Sequence, residues 1–257
     1  MSEIKDKFSD DIFKVPFDKV KLPSEGKLYQ GIPDVIDVEY LVTEDEDILY
    51  SNNLMDNGLV FNKIVEKKIK DKNINVNDLL IGDFNQILVF LRKSAYGHIY
   101  KTKVFDPDLK ELVATEVDLN KLKVKGIGAE FDENGEFTFV LPTLNKRITF
   151  KLITVGLGDY INNTAESRKN NTTGITPYLT TKLETQIMSI EGERDKLYIS
   201  KVVKVMPPKD RIALSKYIDS IEPKVDLEYT FISAQKGIEF KDNLTLGFDF
   251  FYPQNLD

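Results

Sequence analysis

The sequence predicts an α+β fold built from two tandem, diverged helix-plus-β-hairpin units with mixed or antiparallel sheets, preceded by an extended N-terminal arm. Three observations predict it. Amphipathic helices and alternating, hairpin-like runs interleave without the strict strand–helix–strand rhythm of a doubly wound sheet. The order of elements recurs: residues 35–43 (VIDVEYLVT) lead into acidic residues and a helical segment, as residues 147–155 (RITFKLITV) lead into Gly158, Asp159 and Tyr160. Residues 83–95 meet a Tyr-Gly break and a strand-like run, as residues 210–221 meet a Glu-Pro break and another, at a separation of roughly 110 to 130 residues. Finally, 257 residues at 41% hydrophobic and 30% charged can bury one large core or two modest ones.

Residues 1–30 read as the arm. They are charged, carry Pro16, Pro23 and Gly26, and offer Phe13, Phe17, Leu22, Leu28 and Tyr29 as anchors for packing on this chain or on a partner. The first unit spans 31–128. Ile36, Val38, Tyr40 and Val42 alternate with polar residues as a half-buried strand, and Thr43 with Glu46 forms a capping box for a helix running to about Met55. Asp56-Asn57-Gly58 ends that helix and residues 59–70 form the next. From Asp83 a third helix places Phe84, Ile87, Leu88 and Leu91 on one face until Tyr96-Gly97. Residues 99–119 follow as a hairpin turning at Asp106-Pro107-Asp108, where proline presets the backbone. Residues 125–136 are a glycine-bearing loop at the boundary.

The second unit, 129–257, opens with two strands through Phe137, Phe139 and Leu141, then Ile148, Phe150 and Leu152. A polar stretch, 162–176, reads as an exposed loop. Helices follow at about 178–189, 195–206 and 208–221, then strands near 225–232 and 244–252. On the last strand Phe250 and Phe251 point to opposite faces. Either both faces are covered within the chain, or one of these rings, with Tyr252, is open to a partner.

The chemistry is sparse. A net charge of -7 opposes attraction to nucleic acid, whose binding runs on Lys and Arg replacing counterions. The basic run 63–72 fits the solvated face of a helix with Phe61, Ile64, Val65 and Ile69 inward. Without cysteine there is no disulfide, thiolate or Cys-ligated metal, a reducing compartment is permitted, and no stretch reaches the length of a membrane span. His98, the single histidine, has no second His or Cys to share a metal or proton relay. Glu44, Asp45, Glu46 and Asp47 are explained by a helix N-terminus. The glycine pairs at Gly126 and Gly156 lack the third glycine and the sequel of a dinucleotide loop. No catalytic, cofactor or metal residue is expected, and a hydrolase using Asp210 or Glu222 is the remote alternative.

Three segments, LPSEGKLY (22–29), VEYLVTEDEDIL (38–49) and DFNQILVFLRKSAYGHIY (83–100), with SIEG (189–192), MPPKDR (206–211) and the late Phe-Phe, resemble the baseplate hub subunits of T-even-type contractile-tailed bacteriophages. The resemblance covers most of the chain in short motifs. Some relatives carry paired cysteines in the hairpin after the Tyr-Gly break, where this chain has Phe105, Asp106, Pro107 and Asp108. It implies a non-enzymatic role in building the hub by contacts with other baseplate and tail proteins, in the virion tail and assembled in the host cytoplasm. Self-association is compatible with it, and so is a transient tail-assembly chaperone. The arm reading expects deletion of residues 1–30 to weaken assembly without unfolding the core.

Overall fold

In the computed structural model, which describes residues 14–50, 59–170, 173–233 and 236–251, the chain begins with an antiparallel pair. Strand β1 (Phe17–Lys21) runs against β2 (Val35–Glu39), with Val20 opposite Ile36. Leu22, fully buried, starts the intervening turn, and Glu25 and Gly26 take left-handed backbone at φ 54° and 71°. A side chain at Gly26 would begin 2.8 Å from the Ile32 carbonyl oxygen, so glycine fits both the backbone and the space. Residues 14–30 are therefore built into the fold and are not a detachable arm. Burying Leu22 alone stabilises by about 1.5–3 kcal/mol, so deleting 1–30 removes core, contrary to the sequence expectation.

Helix α1 (Thr43–Leu49) opens one residue out of the predicted register: the Asp45 carboxylate accepts the Val42 N–H at 2.8 Å. Glu46 instead accepts the Tyr96 hydroxyl at 2.7 Å, because α1 packs near the following long helix. The predicted continuation to Met55 lies outside the described residues. Helix α2 (Val60–Lys68) buries Ile64 and Val65, and Ile69 bridges back to Val38. Lys68 is buried and pairs with the buried Asp45, which Lys67 also approaches at 2.9 Å. Burial pushes the Asp45 carboxyl up, but the two lysines and the Val42 N–H hold it below the usual range.

Helix α3 (Ile81–Tyr96) stops at Gly97, whose φ of 80° suits glycine, and leads into the hairpin β3 (Ile99–Asp106) and β4 (Glu111–Asp118). The short strand β5 (Val124–Lys125) ends at the first residue of the predicted loop. Strands β6 (Phe137–Val140) and β7 (Arg147–Phe150) follow, then α4 (Val155–Ser167) and α5 (Tyr178–Gln186). Strand β8 (Ile187–Ile190) joins β7 to complete a three-stranded antiparallel sheet of order β6-β7-β8. Helices α6 (Lys196–Lys204) and α7 (Pro208–Ile221) come next, then β9 (Lys224–Val225), which pairs with β5. The chain closes with the hairpin β10 (Glu228–Ile232) and β11 (Glu239–Asn243) and the single turn α8 (Phe248–Phe251). The fold is α+β, and every strand pairing among the described residues is antiparallel.

Three predicted spans change. The polar stretch 162–176 is helical to Ser167, since Ile161 and Ala165, four apart, are both buried and carry α4 into it. The helix expected over 178–189 ends at Gln186, because Ile187 and Ile190 gain more by pairing on β7 and filling the core. Among the described residues the strand expected over 244–252 does not form: β11 ends at Asn243, Leu244 and Phe250 still point inward, and Phe251 is inward too, which a helical turn allows and a strand does not.

Two apolar clusters result. One gathers Val20, Leu22, Ile36, Val38, Ile64, Ile87 and Leu91 with Leu244, Phe250 and Phe251, so the C-terminal residues finish a core begun near the N-terminus. The other gathers Phe137, Ile148, Phe150, Ile187, Ile199, Leu214 and Ile221. Tyr29 packs on both. Three glycines allow close approach between segments distant in the chain: an added Cβ would lie 1.8 Å from Pro223 O at Gly82, 2.9 Å from Ser220 O at Gly128 and 2.9 Å from Asn77 Cβ at Gly156. Among the described residues no helix is long and apolar enough to cross a membrane.

Candidate functional site

Two buried aspartates stand in the first turns of long helices and hold distant turns in place. Asp83, third residue of α3, accepts the Ser24 N–H at 2.8 Å and the Tyr29 hydroxyl, while that hydroxyl accepts the Leu80 N–H at 2.7 Å. Asp210, third residue of α7, accepts the Thr143 and Leu144 N–H groups at 2.6 and 2.9 Å. The two respond oppositely to burial. Burial pushes the Asp83 carboxyl above the usual range and its hydrogen bonds only partly offset this, whereas at Asp210 the two backbone donors overcome burial and hold it below. Burial and then the Asp83 charge push the Tyr29 hydroxyl far up. These are clamps on the turns after β1 and β6: each oxygen of Asp210 is taken by backbone, and Asp83 faces a tyrosine and an amide.

The candidate partner-binding residues divide. Phe13 and Tyr252 lie outside the described residues. Phe17 is exposed, with Lys70 Nζ 3.1 Å over its ring centre. Leu28 is half-buried against the second core and Tyr29 is held by Asp83, so both serve internal packing. Leu22, Phe250 and Phe251 are wholly buried. Of the two alternatives for the Phe-Phe pair, the structure has both rings covered by the chain itself: Phe250 meets Tyr100 edge-on at 5.1 Å and Phe251 meets Phe61 at 5.5 Å. Arg92 locks this closure by donating from Nε to the Phe250 carbonyl at 2.7 Å, its guanidinium lying over Tyr96 and Tyr100. His98 is exposed at the turn into β3.

Apolar surface is exposed elsewhere, at places the sequence reading did not single out. At the β3–β4 tip Phe105 and Leu112 are cross-strand partners and both face solvent. Beside them Ile232 and Ile238 are exposed on the second hairpin, and Lys236 reaches Asp108 at 2.7 Å to tie the tips together. The turn at Asp106 is built by its own side chain, which accepts the Asp108 and Leu109 N–H groups. A second region lies where α3, α4, α5 and α7 converge: a cavity of about 350 Å³ with exposed Ile81 and Tyr178 at its edge. Period-two alternation marks Phe105 and Leu112 as a strand pair, but which face is covered depends on the second hairpin, more than a hundred residues away. Among the described residues no group of three or more His, Cys, Asp or Glu side chains is placed to hold a metal ion.

No protein-family model matches the chain, and no curated protein or solved structure matches it at a significant level.

Proposed function

We propose that this chain is a structural or assembly protein of a bacteriophage tail baseplate, in the hub region, working through protein–protein contacts. The observation that carries the reading is the paired hairpin tip: Phe105, Leu112, Ile232 and Ile238 stand in solvent on a platform cross-tied by Lys236 and Asp108. Apolar side chains exposed on two linked hairpin tips are what a docking surface needs. The resemblance of residues 22–29, 38–49 and 83–100 to baseplate hub subunits supplies the setting. A transient tail-assembly chaperone fits the same features.

The reading includes a tandem origin for the two halves. Supporting it, a Leu-Pro-Ser turn at 22–24 and a Leu-Pro-Thr turn at 141–143 are each held by the third residue of a later long helix, Asp83 and Asp210. In each half that helix leads on to a β-hairpin. Self-association through the hairpin tips is part of the same proposal.

Quantitative mass spectrometry of purified virus particles and of infected-cell lysate tests it. A fixed copy number per particle supports a resident part, and abundance in lysate with absence from particles supports the chaperone. A chain that copurifies with no tail or baseplate protein in either fraction refutes both.

A further inference from the structure

We propose that the β3–β4 hairpin pairs edge to edge with a second copy of this chain, β3 of one copy lying antiparallel along β4 of the next. The two strands form a sheet of their own, and among the described residues neither outer edge makes a backbone hydrogen bond to another element. Each strand is eight residues long, so both edges offer a long row of unpaired N–H and C=O groups. Beside β4 there is room for a strand. Glu116, Val117 and Asp118 are consecutive, with side chains alternating between faces, yet all three line one groove of about 630 Å³, so the groove runs along the edge of the strand. Glu228, Tyr229 and Thr230 of β10 line the same groove.

Charge chooses the occupant. The outward face of β3 carries Lys101 and Lys103, and that of β4 carries Glu116 and Asp118. Lys101, Lys103 and Glu116 have no salt bridge among the described residues. Lysines on an edge ordinarily keep it from pairing with its like. Here β3 repels β3 and β4 repels β4, while unlike edges attract. In the groove Lys241 is taken by Glu228 at 2.6 Å, leaving Glu116, Asp118 and Asp226 against Lys121 and Lys123. Within the hairpin Lys101 stands opposite Glu116 and Phe105 opposite Leu112. A neighbouring β3 laid along β4 in the same direction and register repeats both pairs, and the exposed Phe105 and Leu112 extend into an apolar row across copies. Each contact uses two different edges, so association continues until a ring closes. The proposal deepens the contact-based reading, on which it rests, by naming one partner. Its test uses purified protein alone, so it and the particle test fail separately.

Sedimentation velocity of the full chain at rising concentration tests it. The expected result is a mass that grows beyond a dimer and falls again on adding salt. Lys101→Glu with Lys103→Glu, and separately Glu116→Lys with Asp118→Asn, each raise the dissociation constant about tenfold. An equimolar mixture of the two folded variants restores association, because changed edge then meets changed edge. These substitutions also touch the hairpin's own Lys101–Glu116 pairing, so hydrogen exchange of the unaltered chain supplies a second reading. Amides of residues 99–106 and 111–118 slow as concentration rises, and those of the β1–β2 pair do not. A monomer at every concentration, a dimer that grows no further, or a mixture no more associated than its parts would overturn the pairing. So would association that leaves exchange in both strands unchanged.

Discussion

Replacing Asp210 by asparagine keeps the shape of the side chain and removes the property that makes it useful. Both of its oxygens accept backbone N–H groups, from Thr143 and Leu144, in a site closed to solvent. Asparagine has one acceptor and one NH2, so one of those donors must face another donor. Hydrogen bonds to a charged group contribute about 1.5–3 kcal/mol each, and a buried donor left unpaired costs about 1–3 kcal/mol, so Asp210→Asn is expected to lose about 3 kcal/mol. That is a large share of the roughly 5–15 kcal/mol a domain has. The sign with pH follows from the lowered folded pKa. Asp210 contributes stability that is fully present above its unfolded value, about 3.9, and is lost as pH falls through the folded one. Asp83 has a raised folded pKa, so its contribution is fully present below about 3.9 and declines as pH rises through the folded value. Asp83→Asn, which imitates the protonated form, is therefore expected to cost less at pH 7, about 1 kcal/mol. Urea unfolding followed by circular dichroism at pH 7 and below pH 4 measures both. Equal losses for the two variants at pH 7, or an Asp210→Asn loss below about 1 kcal/mol, would refute the opposite roles assigned to the two carboxylates.

Glycine substitutions should split by position: Gly82→Ala must displace the Pro223 carbonyl and is expected to cost about 3 kcal/mol or more, whereas Gly158→Ala meets only ordinary contacts and should gain up to about 1 kcal/mol in thermal melts. Lys68→Ala strands the buried Asp45 beside Lys67 alone and is expected to cost about 3–5 kcal/mol in urea unfolding. Arg92→Ala releases the Phe250 carbonyl, and hydrogen exchange should accelerate in residues 244–251 ahead of the β6-β7-β8 sheet; uniform acceleration would sink the idea of a local latch. Deleting residues 1–30 should abolish cooperative unfolding, because β1, Leu22 and the Asp83 partners Ser24 and Tyr29 go with them.

Local pattern carried far in this chain. The period of Phe84, Ile87, Leu88 and Leu91 placed α3 to within two residues, Gly97 marked its end, and Asp106-Pro107-Asp108 marked the turn of the first hairpin. These features were legible because the chemistry that fixes them lies within a few residues: an apolar stripe, a positive φ, a preset proline. Composition likewise settled the absence of cysteine chemistry before any coordinate.

What the sequence could not decide were the outcomes of long-range competition. Residues 187–190 continue a helical pattern and become a strand because β7 offers them a ladder and a core, and Phe248–Phe251 alternates like a strand and coils because both Phe250 and Phe251 find room inside. The reversal of Asp83 and Asp210 depends on which donors the tertiary fold delivers to two otherwise ordinary carboxylates. Sequence by itself determined the elements whose partners are near in the chain. Tertiary structure decided the elements whose free energy rests on a surface or a donor supplied from tens of residues or more away, because burial and hydrogen bonding act through space and leave no local mark.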